Sequence, residues 1–210
     1  VELDYLNLKP RELGLLQRML AHILFVSPQR RYREEMILKN VKGQSGLWAY
    51  GISGDLPIVL VEIEKMEEIE MVKWFLKAYE YWKMKGINID LVILNKDKSG
   101  YLQPLHDKIK ELINTTFSYD IFGKYGGVYL LQQNNLKEED VYLLNTVVAL
   151  KFEGGNESIY DQIMIKETKN APKLKNWVKK VQNFEEIKLE ELPLDYYNGF
   201  GGFSYDGKEY

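Results

Sequence analysis

The stretch from Leu47 to Ile63 constrains the fold of this chain most strongly, because a polar turn with two glycines leads directly into an almost wholly apolar run. Gly51 and Gly54 permit backbone angles that are closed to other residues. Pro57 suits the first position of a strand, where no backbone N–H is needed for pairing. The apolar residues that follow are typical of a strand buried on both faces, as in a parallel sheet.

The position of the turn decides what its glycines are for. A phosphate-binding loop follows a strand and opens a helix, so that helix amides point at the anion. Here the glycines precede the strand and no Lys-Ser or Lys-Thr pair follows them, which excludes a nucleotide P-loop and a dinucleotide fingerprint. We interpret the segment as a structural turn in which Ser53 and Asp55 hydrogen-bond the nearby backbone. The alternative is a loop presented to a neighbouring domain or a sugar.

Strands and helices alternate through the middle of the chain. Hydrophobic periodicity and turn residues predict strands over 57–63, 87–94 and 126–131 and helices over 67–85, 101–114 and 136–151. Such alternation indicates a parallel sheet with right-handed crossovers. We therefore predict an α/β fold, a small three-layer parallel sheet with flanking helices. Strand orders 2-1-3 and 3-2-1 both fit, with room for an added edge strand.

Extensions flank this α/β core on both sides. Apolar residues at helical spacing predict a helix over 10–26, and an arginine- and glutamate-rich stretch predicts a second, polar helix. A Lys- and Glu-rich stretch over 170–192 predicts a helix followed by a linker. The predicted domains are an N-terminal helical linker (1–46), the α/β domain (47–155), a helix and linker (156–194) and the start of a following β-sandwich domain (195–210).

The last residues of the chain are rich in aromatic residues and glycine. The pair Asp206-Gly207 is a hairpin signal, yet only three residues follow it. A hairpin needs a returning strand, so we expect the sandwich domain to be truncated here and to continue in a longer parent protein.

Composition excludes several classes of function. A net charge of −3 over 210 residues leaves no basic footprint for nucleic acid, and no apolar run approaches the length of a membrane span. The absence of cysteine excludes disulfides and thiolate metal sites. His22 and His106 are not at metal-ligand spacing, and neither His-Glu-x-x-His nor Gly-x-Ser-x-Gly occurs. We predict no metal, no cofactor and no catalytic residue in this segment.

The polar residues at the predicted carboxyl ends of the strands are the remaining place for chemistry, because open parallel sheets bind ligands there. Glu62 and Glu64 flank Ile63 and are predicted to point to one face, and paired carboxylates can act as acid and base on sugars. A solvated strand edge is the interpretation we prefer. An independent hydrolytic or phosphate-transfer enzyme that uses these two carboxylates is the alternative.

Five stretches of the chain resemble, in the same order, segments of the bacterial cyclic β-1,2-glucan synthases. The likeness is to their phosphorylase-like region, which belongs to glycoside hydrolase family 94 (formerly glycosyltransferase family 36). The stretches are Leu47–Ile63, Ala78–Gly86, Asp90–Asn95, Gly126–Leu131 and Tyr197–Tyr210. The likeness spans nearly the whole chain and is weakest over 155–192.

This resemblance implies a place within a very large glycosyltransferase or glycoside phosphorylase. The chain would be the α/β module between two sugar-binding β-sandwich domains, and the catalytic acid would lie in an (α/α) barrel beyond Tyr210. The implied partners are those sandwich and barrel domains and β-1,2-glucan. The implied location is the cytoplasm, with the parent synthase anchored in the inner membrane by helices absent from this segment. A soluble 1,2-β-oligoglucan phosphorylase with the same module would be cytoplasmic too.

Two roles fit such a module. The preferred role is a non-catalytic connector, and the second is a glucan-binding module in which aromatic rings stack on glucose and polar groups bond its hydroxyls. The predicted binding residues, for glucan or a neighbouring domain, are Trp48, Tyr50, Ser53, Asp55, Tyr196, Tyr197 and Asn198.

Overall fold

The computed structural model describes residues 6–27, 33–98, 103–117, 120–155, 157–168, 196–197 and 202–203. The chain divides into two compact units, Val1–Ala171 and Pro172–Tyr210. The first unit holds a four-stranded sheet with helices on both faces, and the second holds a short strand pair. The domain boundaries predicted after residues 46, 155 and 194 stay predictions.

Helices and strands alternate through most of the first unit. The elements are α1 (Pro10–Leu24), α2 (Glu34–Lys39), β1 (Ile58–Ile63), α3 (Ile69–Met84), β2 (Asp90–Asn95), α4 (Pro104–Thr116), β3 (Val128–Gln132), α5 (Glu138–Val147), β4 (Leu150–Glu153) and α6 (Ile159–Thr168). Short 3-10 helices over Gln44–Tyr50, Met66–Glu68 and Gln133–Asn135 precede β1, α3 and α5. Among the described helices, none combines the length and the apolar character that crossing a bilayer requires.

The sheet is parallel throughout, in the order β3-β2-β1-β4. All six residues of β1 pair with β2, and the four from Val59 to Glu62 pair with β4. This arrangement confirms the predicted α/β fold with its three-layer parallel sheet. The strand order is 3-2-1, one of the two predicted, and β4 is the added edge strand on the far side of β1.

The two faces of β1 belong to two different hydrophobic clusters. Val59, Val61 and Ile63 pack in the cluster that α1, α3 and α4 cover. Ile58 and Leu60 point the other way, into the cluster formed with α5 and the 3-10 helix before β1. Side chains alternate along a strand, so β1 can be apolar at nearly every position only because both faces are covered.

A larger part of the surface of helix α3 is buried than contact with the sheet alone would bury. Phe75, Tyr79 and Trp82 are all within 1% of complete burial. Helix α1 packs in the same hydrophobic cluster as α3, and the indole N–H of Trp82 donates to the backbone oxygen of Leu16 at 3.4 Å. The broad apolar face of α3, which predicted contact beyond the sheet, is thus explained by α1.

The predicted helix over 136–151 is wrong at its end. Helix α5 stops at Val147, and Leu150 and Lys151 belong to β4. Val148 is already extended, and the next amide, that of Ala149, donates to the Ile58 oxygen at 2.8 Å. Neither Gly nor Pro marks the change, so pairing with β1 rather than a local signal ends the helix. Helix α6 lies within the range predicted to hold a helix and linker (156–194) but before the stretch over 170–192 to which the helix was assigned, and that stretch lies outside the described residues.

In the second unit, β5 (Tyr196–Tyr197) and β6 (Gly202–Phe203) form an antiparallel pair. Tyr196 pairs with Phe203, and Tyr197 pairs with Gly202. The hairpin predicted at Asp206-Gly207 lies outside the described residues.

A fully buried carboxyl group, that of Asp90, lies at the amino end of β2. Its Oδ1 accepts a hydrogen bond from the backbone amide of Gly126 at 2.9 Å, whereas its Oδ2 is buried without a hydrogen-bond partner in the described part of the chain. Burial raises the pKa of Asp90 from 3.8 to about 6; the Gly126 and Gly127 amides oppose the rise, and the Asp55 charge adds to it.

We expect Asp90 to make stability fall as pH rises. An acid whose pKa is higher in the folded chain holds its proton more tightly when folded, so its contribution to the free energy of unfolding is largest below pH 3.8 and is lost as pH rises through about 6. The wild-type free energy of unfolding, relative to that of Asp90→Asn, should decrease by roughly 3 kcal/mol across this window. Urea denaturation of both proteins from pH 4 to 7.5 measures the difference, and parallel profiles would contradict the assignment.

Candidate functional site

The turn before β1 is held by the side chains of two residues that precede it. The side-chain amide of Gln44 donates one hydrogen bond to the backbone oxygen of Ser53 and one to Asp55 Oδ1, both at 2.9 Å. The Trp48 indole N–H donates to the same Ser53 oxygen at 3.2 Å. The Asp55 amide in turn donates to Ser53 Oγ at 3.2 Å. Three predicted site residues, Trp48, Ser53 and Asp55, are therefore brought together, and Gln44 joins them.

The ring of Trp48 is both exposed and fixed. The residue is 65% exposed, while its N–H is anchored to the turn and its backbone belongs to the 3-10 helix. The carboxylate of Asp55 is also exposed and lies in the same hydrogen-bonded group. An open aromatic face beside a carboxylate and an amide is suited to a hydroxyl-rich ligand, which offers apolar C–H faces and hydroxyl donors.

Tyr50 has a different role from that of Trp48. Its hydroxyl donates to Asp140 Oδ2 at 2.7 Å, and Lys42 contacts Asp140 Oδ1 at 2.6 Å. Burial, followed by the bond to Asp140, raises the pKa of Tyr50 to about 12. Burial alone would raise the pKa of Asp140 as well, but Lys42 and Tyr50 outweigh it and hold that pKa below its usual range. Tyr50 therefore fastens the 3-10 helix to the first turn of α5.

Two of the three remaining predicted residues lie in the second unit's strand pair. Tyr196 and Tyr197 form β5, and Asn198 lies outside the described residues. A binding role for these three residues stays a prediction.

At the carboxyl edge of the sheet, Glu62 is tied to two lysines. It is 4% exposed and lies 3.0 Å from both Lys96 Nζ and Lys151 Nζ. Burial alone would lower the pKa of Lys96, but the Glu62 carboxylate outweighs it and the pKa is raised. Lys151 also contacts Glu153 at 2.8 Å and Asn145 Oδ1 at 3.2 Å. Glu62 is thus part of an ion-pair network across β1, β2 and β4.

Glu64 does not join Glu62 as a second carboxylate of a reacting pair. It follows the end of β1, is exposed, and its amide donates to Glu68 Oε2 at 2.7 Å. The structure therefore supports the preferred interpretation for Glu64, a solvated edge, whereas Glu62 is a buried structural ion. Among the described residues, no group of three or more His, Asp or Glu side chains is placed to hold a metal ion.

A cleft of about 640 Å³ opens beside the carboxyl ends of β1 and β4. The chain leaves β1 for α3 and β4 for α6 at this end of the sheet, and both helices pack in the same hydrophobic cluster. Open parallel sheets bind ligands at the carboxyl ends of their strands. Five glutamates against one lysine make it unsuitable for a phosphate. The lining residues are Lys65, Glu67, Glu68, Glu70, Met71, Trp74, Glu153, Gly154, Gly155, Glu157, Ser158 and Ile159.

Most of the polar groups in this cleft are already bonded within the fold. Glu68 Oε2 accepts the amides of Glu64 and Lys65, and Glu153 is paired with Lys151. The Trp74 indole N–H donates to Glu12 Oε1 at 3.0 Å. These bonds cap and fix the start of α3, which is a structural use of the cleft's side chains.

The comparisons with known proteins indicate one distant relationship. No protein-family model matches the chain. It is 25% identical to the cyclic beta-(1,2)-glucan synthase NdvB of Rhizobium meliloti (strain 1021) over 221 aligned residues, which cover 100% of this chain. The chain spans only 8% of the length of that protein. At this identity and coverage the similarity supports a distant relationship between this chain and a small part of that protein.

Replacing Glu62 should destabilise the fold much more than replacing Glu64. In Glu62→Gln two lysines lose their shared counter-ion, so we expect the free energy of unfolding to fall by roughly 2 kcal/mol and the pKa of Lys96 to drop. The matched variant Glu64→Gln changes an exposed carboxylate and should cost less than about 0.5 kcal/mol. Urea denaturation and lysine NMR titration measure both effects, and equal costs would contradict the buried ion-pair network.

Proposed function

We propose that this chain is a non-catalytic α/β module of a cyclic β-1,2-glucan synthase-like enzyme. The observation that carries this proposal is the similarity to the Rhizobium meliloti synthase, which extends over the whole chain but takes up a small part of that protein. In this proposal the module lies in the cytoplasm and connects β-sandwich domains beside a catalytic barrel. A soluble 1,2-β-oligoglucan phosphorylase is the alternative parent.

The surface of the first unit supports a connecting role. Several large apolar side chains between residues 24 and 48 are mostly exposed, and exposed apolar surface is one mark of a site that another protein covers. They are Leu24 (56% exposed), Phe25 (74%), Val26 (82%), Leu38 (78%), Val41 (82%) and Trp48 (65%). Neighbouring domains of a parent chain would bury this surface.

The chemistry of the carboxyl edge also favours a non-catalytic role. A general base must be free to accept a proton from its substrate, whereas Glu62 is buried between two lysines. The carboxylates of Glu68 and Glu153 in the neighbouring cleft are likewise bonded within the fold. Catalysis in the parent enzyme would then depend on residues of the barrel.

We expect the isolated chain to show no catalytic activity in a direct assay. The purified chain, incubated with linear β-1,2-glucan with and without inorganic phosphate, should release neither glucose 1-phosphate nor new reducing ends. Mass spectrometry should find the glucan lengths unchanged. Turnover that disappears in the Glu62→Gln, Glu64→Gln double variant would instead establish an independent enzyme and overturn the proposal.

A β-glucan-binding role is the second candidate, and the fixed, open ring of Trp48 favours it. An aromatic side chain that is already oriented loses little conformational entropy when a sugar stacks on it. Asp55 and the Gln44 amide lie within the same hydrogen-bonded turn and would bond the sugar hydroxyls. Module and binding roles are compatible, because a connector of this kind can also guide the glucan.

Loss of the Trp48 ring should abolish most of any glucan affinity. We expect Trp48→Ala to weaken binding of linear β-1,2-glucan by at least about tenfold, equivalent to 1.4 kcal/mol. Tyr125→Ala is the matched control, because Tyr125 is a comparably exposed aromatic residue (64%) outside the turn. Amide and indole NMR shifts during glucan titration measure both affinities. Equal affinities for wild type and Trp48→Ala would eliminate this site.

A further inference from the structure

Among the residues that the structure describes, two buried polar atoms at the amino edge of the sheet have no hydrogen-bond partner. They are Oδ2 of Asp90 and the hydroxyl of Tyr129, and their residues are 0% and 2% exposed. Unpaired polar atoms at such depth are costly and call for a physical explanation. The turn before β1 lies next to them, because a methyl group on Gly51 would be 4.0 Å from Cε1 of Tyr129.

Asp90 joins three segments of the chain. Its backbone amide donates to the Pro57 oxygen at 3.0 Å, where the turn enters β1. Its Oδ1 accepts the Gly126 amide at the start of β3. A methyl group on Gly126 would lie 3.4 Å from Cδ1 of Leu56, the residue that follows Asp55 in the turn. The Asp55 charge is also among the causes that raise the pKa of Asp90. Ionisation of Asp90 therefore adds a buried negative charge next to the turn that carries Asp55.

The position of Asp55 is connected to the ring of Trp48. Asp55 Oδ1 and the Ser53 oxygen share the Gln44 amide, and the Ser53 oxygen also accepts the Trp48 indole N–H. Any repulsion that displaces Asp55 thus strains the hydrogen bonds that orient the indole. The glycines at 51 and 54, with φ of 74° and 78°, give this turn a backbone that most residues would not adopt.

We propose that Asp90 is a proton-linked positioning residue for the Trp48 turn. With Asp90 protonated, the turn is held closed over the sheet edge. With Asp90 ionised, repulsion between the two aspartates loosens the turn and frees the indole. Among the described residues, the titratable groups whose charge interacts with that of Asp90 are Asp55 from the turn and Tyr129 from β3. Beyond Gly126, Tyr79 of α3 donates to the Gly126 oxygen at 2.6 Å and contacts Lys83 Nζ at 3.1 Å.

The pKa shifts of Asp90 and Tyr129 are consistent with a role for Asp90 alone. Burial raises the pKa of Asp90 to about 6, so its charge changes over the mildly acidic range. Burial and the Asp90 charge raise the pKa of Tyr129 to about 12, so the phenol stays neutral there. One proton, on Asp90, therefore separates the two states of the turn.

NMR titration of the intact chain from pH 4.5 to 8 tests the proposal. We expect the Asp90 carboxyl carbon, the amides of residues 51–55 and the Trp48 indole to shift with one common midpoint near 6. Asp90→Asn should remove the shifts of the turn, and Asp55→Asn should lower the Asp90 midpoint. The control Asp107→Asn, in an exposed position on α4, should leave the profile unchanged. Turn signals that do not titrate, or that titrate with the same midpoint in Asp90→Asn, would overturn the proposal.

The consequence for glucan rests on the binding role proposed above and is tested separately. Linear β-1,2-glucan should bind wild type several-fold more tightly at pH 5 than at pH 7.5, and Asp90→Asn equally at both. Binding that is equal at both pH values in wild type would refute the link between Asp90 and the sugar site. Failure to bind at either pH would remove the glucan-binding role, and the NMR titration would then decide the positioning role of Asp90 by itself.

Discussion

The structure depends on the complete enclosure of β1. Every residue of this strand is buried, and both of its edges are paired, one with β2 and one with β4. A strand with no solvent side requires a layer on each face, which α1, α3 and α4 supply on one side and α5 with the Gln44–Tyr50 helix on the other. The conformation of the turn before β1 is constrained for the same reason, since the chain passes from this turn directly into a strand at the centre of the sheet.

Enclosing β1 gives the two ends of the sheet different characters. At the carboxyl end, where sheets of this type bind ligands, Glu62 is ion-paired with Lys96 and Lys151, and Glu68 and Glu153 of the adjacent cleft are bonded within the fold. At the amino end, the hydrogen-bonded turn exposes Trp48, and Asp90 is fully buried with an Oδ2 that has no hydrogen-bond partner among the described residues. The candidate functional residues therefore lie at the amino end of the sheet, which has a structural role in most proteins of this architecture.

Periodicity predicted the elements whose burial repeats locally, such as β1 and α3, and it predicted parallel pairing from their alternation. It missed β4, because Val148 leaves the helix to pair with β1 and no local residue signals the change. Within the candidate site, Ser53 and Asp55 were predicted from turn chemistry. Gln44 was missed because its bonds reach 9 and 11 residues along the chain. The hydroxyl bond of Tyr50 to Asp140 spans 90 residues, a distance that no spacing pattern conveys.

The strand order has a consequence for how the chain folds. The strand that seals one edge of β1 is the last of the four to be made, so during synthesis β1 and β2 exist with an apolar edge still open. Such an edge is a template for pairing with other chains, and parallel contacts between distant segments form slowly. The nascent sheet is therefore protected against aggregation only after β4 has been made and has paired with β1. Lys151 of β4 then forms its ion pair with the buried Glu62.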